Sequence, residues 1–115
     1  MSHSIRLSVR PYLESETFFE QVFNVKPGRR IRTATFDEVF IEFGDGPFLA
    51  LYEVLNEEPL AKSWYPVVAI YSSDYDGVLE RIKKLGLGVR ERGDRVLFAN
   101  DPSGNVVEVV RQSDR

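Results

Sequence analysis

The chain has 115 residues, enough for one domain with little left over for appendages. At 43% hydrophobic and 12% aromatic, it can build a core without disulfides or a structural metal. Its 15 basic and 18 acidic residues give a net charge of −3, which argues against nucleic acid, where phosphate neutralisation supplies most of the affinity.

Cysteine is absent, which removes disulfides, thiolate nucleophiles and Cys-ligated zinc. The opening MSHSIRLSV lacks a signal-peptide form, and no stretch approaches the run of about 18 apolar residues that a membrane span needs. A soluble, cytoplasmic protein is expected, with no membrane partner. Histidine occurs once, at His3. One imidazole cannot build a two-histidine metal site, and a Ser–His–Asp relay would depend on a terminal residue.

In chain order, Ser4 to Arg10 alternates apolar Ile5, Leu7 and Val9 with polar Ser4, Arg6, Ser8 and Arg10, the period of a half-buried strand. Pro11 ends it. From Leu13 to Phe23 the period becomes helical, with Phe18, Phe19, Val22 and Phe23 as the stripe. Glu14 and Glu16 suit the first turn, and Asn24 and Pro27-Gly28 are expected to stop the helix. Strands are predicted over Arg30 to Phe36, Val39 to Phe43 and Phe48 to Val54, with a hairpin turn at Asp45-Gly46.

Asn56 to Ser63 has the composition of a linker. The order then repeats. A strand is predicted over Pro66 to Tyr71. A helix follows over Ser73 to Leu85, with Val78, Leu79, Ile82 and Leu85 as its stripe, Ser72 or Ser73 as its cap and Gly86 as its close. Strands over Leu87 to Glu91, Arg95 to Ala99 and Asn105 to Arg111 complete the unit, the last after a turn at Asp101 to Gly104. Ser4 overlays Val67, Pro11 overlays Asp74 and Gly46 overlays Gly104. Two copies are too few for a repeat array, so two paired βαβββ modules are the better explanation. The expected domain is residues 1–115, with modules at 4–54 and 66–112 joined by a linker at 55–65.

The run Asp101-Pro102-Ser103-Gly104-Asn105-Val106-Val107-Glu108 resembles the D-P-x-G-N-x-x-E signature of the vicinal oxygen chelate superfamily. That superfamily includes glyoxalase I, extradiol dioxygenases, and fosfomycin- and bleomycin-resistance proteins. The stretch Ser73 to Gly86 is similar to the helix of its second module. The resemblance covers nearly the whole chain. It implies an α+β fold, two curved βαβββ sheets facing a cleft, and a homodimer. Strand alternation then puts Ile5, Leu7, Val9, Leu49 and Leu51 under the first helix, and Val107 and Val109 under the second. The opposite faces, expected to line the cleft, carry Ser4, Arg6 and Ser8; Phe48, Ala50 and Tyr52; Val67, Ala69 and Tyr71; and Val106, Glu108 and Val110.

In metal-binding members four ligands enter that cleft. By register the positions here are Ser4, Ala50, Val67 and Glu108, and only Glu108 is a ligand type. No metal and no cofactor are therefore expected. Glu108 could meet a ligand or act as general base, or it could be neutralised by Arg6. Arg6 could bind an anion, but its pairing with Glu108 is favoured. Phe48, Tyr52, Tyr71 and Trp64-Tyr65 could wall a pocket or serve as core and dimer contacts. Arg29, Arg30 and Arg32 fit a solvated strand edge, and Gly86, Gly88 and Gly93 lack the lysine of a phosphate loop. The expected function is binding of a small hydrophobic or amphipathic molecule at Arg6, Ser8, Phe48, Ala50, Tyr52, Val67, Ala69, Tyr71, Val106 and Glu108. The alternative is a lyase, isomerase or dioxygenase-like enzyme using Glu108 as base or residual metal ligand.

Overall fold

The computed structural model describes residues 4–43, 48–55, 66 and 68–112. They belong to two units, Met1–Ala61 and Lys62–Arg115, each with one helix and one four-stranded mixed sheet. The expected turn at Asp45-Gly46, the linker from Asn56 to Ser63, His3, Trp64, Tyr65 and Val67 lie outside the described residues.

Unit 1 runs β1 (Ser4–Ser8), α1 (Tyr12–Phe23), β2 (Pro27–Arg32), β3 (Phe36–Glu42) and β4 (Phe48–Val54). The sheet order is β1-β4-β3-β2, with β1 parallel to β4 and the other pairs antiparallel. No side chain caps α1 at its start. Instead Glu53 of β4 accepts the Tyr12 backbone N–H at 2.8 Å, which satisfies a helix-end donor and places a carboxylate at the positive end of the dipole. Asn24, in the left-handed region at φ 55°, ends the helix. Pro27 and Gly28 do not stop it; they open β2. Glu16 does not serve the first turn either. It is buried and bound by both terminal nitrogens of Arg30, one at 2.9 Å.

Phe18, Phe19 and Val22 of α1 are buried, as are Leu7, Val39, Ile41, Leu49 and Leu51 on the facing side of the sheet. Each such side chain contributes about 1.5–3 kcal/mol by leaving water. The strand expected over Arg30 to Phe36 instead ends at Arg32. Thr33 explains the difference: its hydroxyl oxygen accepts the backbone N–H of Thr35 at 3.2 Å and of Phe36 at 3.0 Å. The β-branched run therefore makes a turn rather than a strand.

Unit 2 runs β5 (Val68–Ser72), α2 (Tyr75–Lys84), β6 (Val89–Arg92), β7 (Val96–Asn100) and β8 (Val106–Arg111). Its sheet order, β5-β8-β7-β6, repeats that of unit 1. Tyr75, Val78 and Ile82 are the buried face of α2, against Ile70, Leu97, Ala99, Val107 and Val109. Leu85, expected in the stripe, is 43% exposed, because the helix ends before it. Gly86 at φ 72° then turns the chain. Ser72 accepts the Asp74 N–H at 3.0 Å, and α2 begins one residue later.

The two registers agree. Leu7 pairs with Leu51, and Ile70 with Val109, the residues that the internal overlay makes equivalent. Among the described residues no helix is long and apolar enough to cross a membrane.

Candidate functional site

The turn from Asp101 to Asn105 sets the geometry of β8. Asp101 is buried, and its Oδ1 accepts the backbone N–H of Ser103 at 3.0 Å and of Asn105 at 2.8 Å. The Asn105 side-chain amide donates to Oδ2 at 3.2 Å. Gly104 adopts φ 89°, a conformation that L side chains resist. These bonds lock Asn100 opposite Val106 and hence Phe98 opposite Glu108. The Asp-Pro-Ser-Gly-Asn run is thus structural, and its consequence is the position of the carboxylate three residues beyond Asn105.

Alternation sends Val107 and Val109 toward α2 and Val106, Glu108 and Val110 to the opposite face. On that face lies an open depression of about 460 Å³, lined by Pro66, Arg90, Arg92, Val96, Phe98, Val106 and Glu108. Its size falls in the range of small-molecule sites. Glu108 is half-buried and has no hydrogen-bond or ion-pair partner among the described residues. The Arg92 guanidinium stands 5.8 Å from the centre of the Phe98 ring, and Arg90 donates to Asn100 Oδ1 at 3.3 Å. Val106 is 3% exposed, while Ala69 and Tyr71 on β5 share this face and are exposed, Tyr71 by 68%.

In unit 1 the face away from α1 carries Arg6, Ser8, Glu38, Phe40, Ala50 and Tyr52. Arg6 does not depend on Glu108 for a counter-charge. Its Nε donates to Glu38 Oε2 at 3.1 Å, and its guanidinium lies 4.7 Å over the Tyr52 ring. Phe36 supports Tyr52 at 5.0 Å between ring centroids. Ala50 is fully buried between its strand neighbours Arg6 and Phe40, so it offers no surface to a ligand. Phe48 opens β4.

Sequence reasoning missed Glu38, Arg90, Arg92, Val96 and Phe98. Glu38 fell in the gap before a strand started too late. The other four follow period two along the β6–β7 hairpin, and that alternation was the signal available.

No family model and no curated protein sequence matches the chain. Solved structures do. Glyoxalase I of Leishmania major superposes with a TM-score of 0.82 at 16% identity, over 97% of this chain and 86% of its own. The fold is the vicinal oxygen chelate fold. The fosfomycin resistance protein FosX of Mesorhizobium loti superposes at 0.75 with 24% identity, over 98% of this chain and 91% of its own. A glyoxylase/bleomycin resistance protein/dioxygenase domain from Frankia sp. EAN1pec gives 0.78 at 18% identity, over 98% and 97%.

The four positions at which the resemblance implies metal ligands are Ser4, Ala50, Val67 and Glu108, of which Val67 lies outside the described residues. A buried alanine methyl and a valine donate nothing, and one carboxylate cannot hold a catalytic divalent ion. Among the described residues no group of three His, Asp or Glu side chains could hold one either. The residues present do not fit the metal.

Proposed function

We propose that this protein binds a small amphipathic molecule on the unit 2 face around Glu108, without a bound metal. The observation that carries this is the depression itself: about 460 Å³ with Phe98, Val96, Val106 and Pro66 as apolar wall and three charged side chains at its surface. The neighbours' names support it, since they tie this fold to small molecules such as fosfomycin and bleomycin. Ala69 and Tyr71 on the same unit 2 face extend the binding surface, and Arg6, Ser8 and Tyr52 present a second one in unit 1. The resemblance adds a homodimer, to be checked by sedimentation.

The test is a titration with a panel of aromatic and amphipathic small molecules, read by melting temperature and by the fluorescence of the single tryptophan. Ligand at a hundred times its Kd stabilises a folded protein by about 2.7 kcal/mol, which a melting curve resolves. A saturable shift that Phe98→Ser abolishes is expected. No shift with any ligand refutes binding.

A second reading has one observation in its favour. A half-buried carboxylate with no described partner is available as a general base for proton abstraction from a bound ligand. Once a substrate is found, Glu108→Gln decides between the two: lost turnover with retained binding assigns catalysis, and unchanged turnover removes it.

A further inference from the structure

We infer that the ligand of the unit 2 face carries an oxyanion on an apolar body, and that Arg90 and Arg92 are its anion seat. The inference rests on the binding reading above and specifies the chemistry of the ligand.

Strand β6 sorts its charges by face. Arg90 and Arg92, two residues apart, both line the depression. Glu91 between them turns the other way and reaches Lys83 of α2 at 3.5 Å. The one carboxylate of β6 is thereby directed away from the pair. Other arginines of unit 2 are engaged differently: Arg81 bonds Asp74 at 2.8 Å, and Arg111 bonds Asp76 through both terminal nitrogens. Arg90 and Arg92 have no carboxylate within ion-pair distance among the described residues.

Each guanidinium also has an uncharged neighbour on this face. Asn100 accepts from Arg90, and the Phe98 ring lies beneath Arg92. Two like charges side by side on one strand repel, and holding them there costs free energy that a shared anion would return. Planar guanidinium groups give paired donors to carboxylate or phosphate oxygens. The Phe98 ring, next to Arg90 in register and beside Arg92, supplies the apolar contact adjoining the seat. Glu108, opposite Phe98, is the negative wall of the depression. It excludes an anion from that end and directs it to β6.

The test measures the intact protein against four probes by calorimetry at low salt: phenylacetate, phenyl phosphate, the neutral phenylacetamide and inorganic phosphate. The aromatic anions are expected to bind about ten-fold tighter than phenylacetamide, and tighter than inorganic phosphate. Added sodium chloride should erode that advantage. Preference for phenyl phosphate assigns a phosphate ester, and preference for phenylacetate a carboxylate. In Arg90→Gln/Arg92→Gln the advantage should fall below about two-fold, and in Glu108→Gln it should grow. Both arginines are exposed, so the double variant should keep its fold, checked by circular dichroism. Equal binding of phenylacetate and phenylacetamide overturns the anion seat while leaving binding intact. An advantage that survives the double variant overturns the assignment to Arg90 and Arg92. Absence of binding by every probe, together with a silent ligand panel, removes the binding reading as well.

Discussion

Arg6 of β1 donates to Glu38 of β3 across the intervening strand β4, with its guanidinium over Tyr52 on the way. The pair ties three strands on the face away from α1. It is asymmetric, because the Glu38 side chain is 3% exposed and that of Arg6 60%. Removing the arginine leaves a buried carboxylate without its cation, whereas removing the carboxylate's charge leaves only a solvated arginine. Breaking a fully buried pair costs 3–5 kcal/mol. With Arg6 largely in solvent, Arg6→Ala should cost about 1–2 kcal/mol, and Glu38→Gln less than about 1. Urea denaturation of both variants checks the order. Equal, negligible effects would show that water satisfies Glu38.

Asp101 holds three donors, two of them backbone, at the turn that sets the β7–β8 register. Replacement by alanine strands them in a buried position, and Asp101→Ala should lose about 2–4 kcal/mol. Because Phe98 and Glu108 face each other through that register, the variant should also weaken ligand binding before it unfolds globally. Melting curves with and without ligand separate the two effects.

Much of the fold was legible in the sequence because alternation and helical stripes are direct consequences of burial on one face. The element order, β4, and the apolar faces under both helices follow from Leu7, Leu49, Leu51, Val107 and Val109. The error at Thr33 came from reading β-branched residues as strand when a hydroxyl was making a turn. That error hid Glu38 and left Arg6 with Glu108 as its apparent partner. Ala50 was legible as to face but not as to exposure, which depends on the bulk of Arg6 and Phe40 in the flanking strands. The β6 arginines were not legible because that four-residue strand, Val89–Arg92, is charged at its last three positions and exposed there, so no apolar alternation marks which face is which.

Tyr75 is buried on α2, and its hydroxyl has no hydrogen-bond partner among the described residues. The Arg111 guanidinium lies 4.3 Å from its ring centre. Burial pushes the phenol's pKa above its ordinary value, with the Glu91 carboxylate adding to the shift. The fold therefore favours the neutral phenol. Its contribution to stability is present below about pH 10, the unfolded value, and is lost as pH rises through the higher folded value. Tyr75→Phe keeps the ring, removes an unsatisfied hydroxyl and removes the titration. It should be neutral or up to about 1 kcal/mol more stable at pH 7, with a smaller loss of stability above pH 10. Melting temperature against pH for both proteins checks this; a strongly destabilised Tyr75→Phe would reveal a partner for the hydroxyl.

The positions at which the resemblance implies metal ligands are Ser4, Ala50, Val67 and Glu108, a set with one strong ligand type. Protein prepared without chelator should carry no stoichiometric divalent metal by elemental analysis, and added manganese or zinc should leave its melting temperature unchanged.

Binding at the unit 2 face is tested most directly by mapping chemical shifts in an isotope-labelled sample titrated with an aromatic anion. Saturable changes should cluster on Arg90, Arg92, Val96, Phe98, Val106 and Glu108, leaving the α2 side of the same sheet still. Changes confined to other surfaces, or none that saturate, would contradict it.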